Sequence, residues 1–196
     1  MATPAKINFK VYQGSTFLEV LRWESALKAY RNITNITKSA PVVITSAAHG
    51  IPIDWRIKLS NILGMTQLNS TETYYDVTET TTNTFTLNNV NSLSFSDYVS
   101  GGVAEFNQPV NLAGFTGRMQ IRADIDSSVI ISELTSANGG ILIDNTLKTI
   151  TLNITATATA LFGFETAVYS LELISSGGQV TTFCGGIITL VKEVTR

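Results

Sequence analysis

The chain has 196 residues, 44% of them hydrophobic and only 14% charged, with a formal net charge of -2. The charged share is low for a globular chain, and Thr, Ser and Asn carry most of the polarity. With 13 basic and 15 acidic residues evenly spread, no basic patch speaks for nucleic-acid binding, and no apolar run reaches the ~20 residues of a membrane-spanning helix.

The N-terminus, Met1-Ala-Thr-Pro-Ala-Lys6, has no apolar run after its lysine and does not read as a signal peptide, so synthesis in a cytoplasm is expected. Residues 7–11 alternate Ile-Asn-Phe-Lys-Val, which suits a half-buried strand. After the turn at Gly14, residues 16–23 form a second strand with Phe17, Val20, Leu21 and Trp23 as core candidates. Residues 26–30 read as a weakly helical or irregular link. Short strands are then expected at 42–44, at 55–59 with Trp55, Ile57 and Leu59 inward, at 74–78 and at 84–87. His49-Gly50 is a turn, 61–68 a turn region, and Gly101-Gly102 a breaker before a strand at 103–106.

Beyond Pro109, Gly114 turns the chain into a strand at 118–122 with Met119 and Ile121 inward. A strand at 129–134 ends at Ala137-Asn-Gly-Gly140. Residues 141–143 and 150–154 form a hairpin across Asp144-Asn-Thr-Leu147. Residues 156–162 are the best helix candidate. Residues 168–174 alternate, with Tyr169, Leu171 and Leu173 on one face. Strands at 180–183 and 187–194 follow, separated by Gly185-Gly186. Many short strands joined by Gly/Asn/Ser turns, with almost no amphipathic helix, predict an all-β fold built around an antiparallel β-sandwich.

The middle of the chain carries Pro41-Val-Val-Ile-Thr-Ser-Ala-Ala-His-Gly50, Gly64-Met-Thr-Gln-Leu-Asn69, Thr84-Phe-Thr-Leu-Asn-Asn-Val90 and Tyr98-Val-Ser-Gly-Gly102. These phrases resemble the small β-barrel module that phage tail and other virion proteins share with ubiquitin-activating enzymes, where it is the first catalytic cysteine half-domain (FCCH). The flanking segments resemble the β-sandwich of phage tail-fibre connector and baseplate-associated proteins. That likeness rests on Phe9-Lys-Val-Tyr-Gln-Gly14, Leu21-Arg-Trp23, Pro109-Val-Asn-Leu-Ala-Gly114, Tyr169-Ser-Leu-Glu-Leu173 and Glu193-Val-Thr-Arg196. Together they imply a discontinuous sandwich domain, 1–30 plus 107–196, carrying an inserted β-barrel domain at 31–106.

Candidate chemistry is sparse. His49 is the single histidine, and a metal or acid–base site would need partners such as Asp54 or Asp76. A turn explains the residue more simply. Cys184 is the single cysteine, which excludes an intrachain disulfide and suits a small buried hydrophobe. Asp124 and Asp126 have the spacing of paired glycosidase carboxylates if they lie on a strand, but Ser127-Ser128 point to a polar loop. Arg118 and Arg122 read as a solvated strand edge. Tyr74, Tyr75, Phe95 and Tyr98 could form an aromatic sugar-binding surface, although core packing is the commoner use. The glycine pairs at 139–140, 177–178 and 185–186 each lie between strands and form no nucleotide fingerprint.

The resemblance therefore implies a non-enzymatic virion structural protein, of the tail or tail-fibre attachment region rather than the head. Its partners would be other virion subunits, further copies of itself and possible host-surface glycans, with no cofactor. The alternatives are a capsid decoration protein and, less favoured, a carbohydrate-binding or depolymerase module.

Overall fold

The computed structural model describes residues 3–70 and 72–194, so Met1, Ala2 and the 195–196 end of the last quoted phrase lie outside the described residues. The chain is nearly all-β and divides into two compact units, 1–23 with 111–196, and 24–110.

The first unit contains two sheets. One holds β1 (Ala5–Lys6), β2 (Phe9–Tyr12), β11 (Thr116–Arg122), β12 (Ser132–Thr135), β15 (Thr166–Ile174) and β16 (Val180–Val191). Their order is β1-β16-β15-β11-β12, with β2 also on β16. Every pairing is antiparallel except those of β1 and β2, which run parallel to β16. The second sheet, β13-β14-β3, comprises β3 (Phe17–Leu21), β13 (Ile141–Asp144) and β14 (Thr149–Ile154). Alternation builds the core: Val11, Met119, Ile121, Leu171, Leu173 and Ile188 are fully buried from the first sheet, as are Ile150 and Leu152 from the second. Phe9 joins the layers, stacking on Tyr169 at 5.1 Å and meeting Phe17 edge-on at 5.4 Å.

Local signals decide the connections. Asp144 Oδ1 accepts from the backbone N–H groups of Thr146 and Leu147 and closes the β13–β14 hairpin. The short helix α1 (Ala156–Ala160) starts at Thr155, whose hydroxyl accepts from the Ala158 N–H. Gly114 turns the chain at φ +74°, a conformation open to glycine, just before β11.

The second unit is a curled seven-stranded sheet in the order β4-β10-β7-β8-β9-β6-β5. Its strands are β4 (Glu24–Asn32), β5 (Asn35–Ile36), β6 (Val43–Thr45), β7 (Arg56–Leu63), β8 (Tyr75–Thr80), β9 (Thr84–Leu87) and β10 (Ser100–Pro109). Between β4 and β5, the Ile33 N–H donates to Gly102 and the Thr34 N–H to Thr45, so the two sheet ends are continuous in the chain and the sheet curls toward a barrel. Trp55, Ile57, Leu59, Ile44, Phe85 and Leu87 fill its interior.

Several expectations shift. Residues 26–30 are not a helix or an irregular link. They lie in β4, held by a ladder with β10 in which Ala29 faces Phe106, and this tertiary pairing overrides a weak local preference. Because β4 and β10 pair from Asn32–Val103 to Glu24–Pro109, the units divide at 23/24 and 110/111, outside the expected edges at 30/31 and 106/107. Gly101-Gly102 does not break a strand. Both residues sit in β10 at positive φ, and a Cβ on Gly102 would press on Ile62 and Ile33. Gly185-Gly186 likewise lies inside one continuous β16. β7 extends through Leu63 into the expected turn region, which keeps only Gly64 and a 3-10 turn at Thr66–Leu68. Val20, a core candidate, is 43% exposed, because it falls on the opposite face of β3 from Phe17 and Leu21. Val129 and Ile130 precede β12 and are exposed.

Candidate functional site

The outer face of the larger sheet carries a groove with a volume of about 650 Å³. Alternation creates it. With Met119 and Ile121 turned inward, β11 must present Arg118, Gln120 and Arg122 outward, and β15 presents Val168, Ser170 and Glu172. Register aligns these as rows: Arg122 beside Val168 and Ile187, Gln120 beside Ser170, Gly185 and Lys6, and Arg118 beside Glu172. The floor is low at its centre because Ser170 faces Gly185 across the ladder. Val168 and Ile187 make it apolar at one end, and Ile125 also lines it.

The groove's charges are unevenly matched. Arg118 pairs with Glu172 at 2.5 Å. Arg122 donates to Gln120 Oε1 at 2.7 Å and to the Ser127 carbonyl, and Gln120 donates to Glu133. Arg122 is thus oriented by neutral acceptors. Lys6, exposed on the far side, has no ion pair among the described residues.

The structure brings residues from β1, β15 and β16 to the same groove as residues that are neighbours in sequence. Arg118, Arg122 and Asp124 line this one groove. The arginines do not sit on a sheet edge, since β11 is flanked by β12 and β15. Asp124 and Asp126 lie in a loop, with Asp124 Oδ1 accepting from the Asp126 N–H at 3.0 Å, so they do not share a strand face.

The remaining candidates are tied into the framework. His49 is 1% exposed. Its Nδ1 accepts from the Ile51 N–H at 3.0 Å and its Nε2 donates to the Thr84 carbonyl at 3.1 Å. Both nitrogens therefore serve the backbone, not Asp54 or Asp76. Cys184 is fully buried, and burial pushes its thiol and the neighbouring Tyr169 hydroxyl above their ordinary values. Of the four aromatics, Tyr75 and Tyr98 donate their hydroxyls to backbone carbonyls, and both pack with Phe95 against the barrel core. Only Tyr74 is exposed, and Arg56 and Lys58 approach its ring at 5.1 and 4.7 Å, so no common sugar platform forms. Beside it, Glu24 accepts two bonds from Arg56 and one from Asn107. Burial alone would raise the Glu24 carboxyl, but these bonds and the Arg56 charge hold it below its ordinary value.

One surface escapes sequence reading. The outer face of the three-stranded sheet exposes Leu18, Val20 and Leu142 at 61, 43 and 55%, with Val20, Thr151 and Leu142 side by side in register. The signal is Phe17-Leu-Glu-Val-Leu21, which is apolar on both faces of a strand.

Residues 41–107 match the family described as "Ubiquitin-activating enzyme E1 FCCH domain", which places the likeness wholly within the barrel unit and over less than half of the chain. No curated protein matches the chain. Among the described residues, no helix is long and apolar enough to cross a membrane.

Proposed function

We propose that this protein is a bacteriophage virion component of the tail, baseplate or tail-fibre attachment region, and that it works by packing against other subunits. The observation that carries the reading is the group Leu18, Val20 and Leu142, exposed on one face of the three-stranded sheet with Thr151 between Val20 and Leu142. Exposed aliphatic side chains gathered on one β face mark an interaction site, since water contact there is costly and burial recovers about 25 cal/mol per Å². A sparsely charged exterior suits the same use, because few ions must be stripped of water at a subunit contact. The match of residues 41–107 to the FCCH domain is compatible with this reading, and the virion part of it rests on the resemblance of the sequence phrases alone.

Imaging intact particles tests the proposal. The expected result is density for this chain at the tail or fibre junction, at a few to a few tens of copies. Absence from purified particles overturns it, and hundreds of copies on the head shell assign the chain to capsid decoration instead.

A further inference from the structure

We infer that the groove on the outer face of the larger sheet is a self-association surface that receives the 123–128 loop of a second copy of this chain. The inference rests on the packing reading above and names one surface and its occupant.

The groove's three cations, Lys6, Arg118 and Arg122, are only partly matched by its two carboxylates, Asp124 and Glu172. Arg118 is neutralised by Glu172, but Arg122 has only amide and carbonyl acceptors, and Lys6 has no carboxylate partner among the described residues. In the Arg122 row the floor is aliphatic, formed by Val168 and Ile187, and the Lys6 row beside it holds Gln120 and Ser170. An occupant must therefore bring carboxylates flanking an apolar side chain.

The chain itself offers that segment. Asp124-Ile125-Asp126 is an acidic–aliphatic–acidic tip, all three residues are exposed, and Ile125 is 87% exposed. The same loop continues into Val129 and Ile130, 69 and 42% exposed. The loop does not satisfy its own groove. Asp124 and Ile125 border the groove, yet Asp124 makes no ion pair among the described residues, one of its oxygens being engaged by the Asp126 N–H, and Asp126 lies outside the lining.

A second copy related by a two-fold axis resolves both deficits at once. Each loop enters the other's groove, so each apolar contact and charge pairing is made twice. Ile125 then covers Val168 and Ile187, and the acidic tip meets Lys6 and Arg122.

Sedimentation velocity on the full chain tests this across protein concentration and salt. The expected result is a monomer–dimer equilibrium that weakens as salt rises, because partly exposed charge pairs are screened. Ile125→Ser should raise the dimer Kd on the order of a hundred- to ten-thousandfold, because each dimer loses two buried isoleucines. Asp126→Lys and Lys6→Glu should each weaken self-association. A mixture of those two variants should recover it, because the hybrid pairs the reversed loop with the reversed groove and the native loop with the native groove. All three positions are exposed, and unchanged circular dichroism and Tm confirm that the fold is kept.

A chain monomeric at every concentration overturns the inference, as do dimers indifferent to Ile125→Ser and Asp126→Lys. Failure of the mixture to associate overturns it too, because the charge pairing is then wrong. Particle imaging judges the virion proposal independently, so the two can fail separately.

Discussion

The backbone carbonyl of Ile7 stands against Gly186 so closely that a Cβ on that glycine would overlap it. The contact arises where the chain passes from β1 to β2 along β16, with the Ile7 N–H donating to Gly185 and Asn8 Oδ1 accepting from the Ile187 N–H. The Tyr169 hydroxyl donates to the same Ile7 carbonyl at 2.8 Å, so the oxygen cannot simply move away. Gly186→Ala should therefore destabilise the first unit by about 1–3 kcal/mol. Gly177→Ala is the control, since its Cβ would meet only Ser175 Oγ at 3.8 Å, and it should stay within about 0.5 kcal/mol of the parent. Urea midpoints of the two variants decide the matter, and equal midpoints would refute the steric argument.

His49 holds a turn closed from inside the barrel unit. His49→Ala leaves the Ile51 N–H and the Thr84 carbonyl without their side-chain partner and removes the ring from its 5.2 Å contact with Phe85. A loss of about 2–4 kcal/mol is expected from two buried polar groups and the lost packing. Denaturant unfolding followed by Trp55 fluorescence measures it.

Glu24 should make the barrel unit acid-sensitive. Its carboxyl is held below the ordinary 4.5, so the folded state binds its proton less readily than the unfolded chain does. The stabilisation is complete above the unfolded value and is lost as pH falls through the folded value. Glu24→Gln should lower the stability near neutral pH and flatten the acid limb. An unchanged slope of stability against pH below 4.5 would count against this account.

Cys184 and Tyr169 act in the opposite direction. Burial raises both groups, so their contribution is complete below the ordinary thiol value of 9.0 and is lost as pH rises through the folded values. The first unit should weaken in strong alkali. Iodoacetamide should label Cys184 only on unfolding, and rapid labelling of the native chain would contradict its burial.

The barrel unit should be removable. Glu24 and Pro109 are register partners on the β4–β10 ladder, which puts their Cα atoms about 4.5–5.5 Å apart, so Trp23 and Asn111 can be joined by a short linker. The joined chain, 1–23 with 111–196, should show a cooperative thermal transition and β-type circular dichroism. A chain that fails to fold would show that the two units share one folding event.

The alternations Trp55-Ile57-Leu59, Met119-Ile121 and Tyr169-Leu171-Leu173 were legible in the sequence, and all these side chains are buried. A period of two is a local property, since pleating alone sends neighbouring side chains to opposite faces. The hairpin at Asp144 and the helix after Thr155 were readable for the same reason, their bonds spanning only a few residues. What needed the tertiary structure is non-local. Ser25-Ala-Leu-Lys-Ala-Tyr30 has no strand signature, and only the ladder with β10, far along the chain, makes it β4. The parallel seating of β1 and β2 on β16 joins opposite ends of the sequence and accounts for Gly186. The groove follows the same logic: sequence alone places the acidic tip 124–126 near Arg118 and Arg122, but only strand order and register bring Lys6, Val168 and Ile187 to the same face, because inter-strand pairing is fixed by the whole core rather than by any one segment.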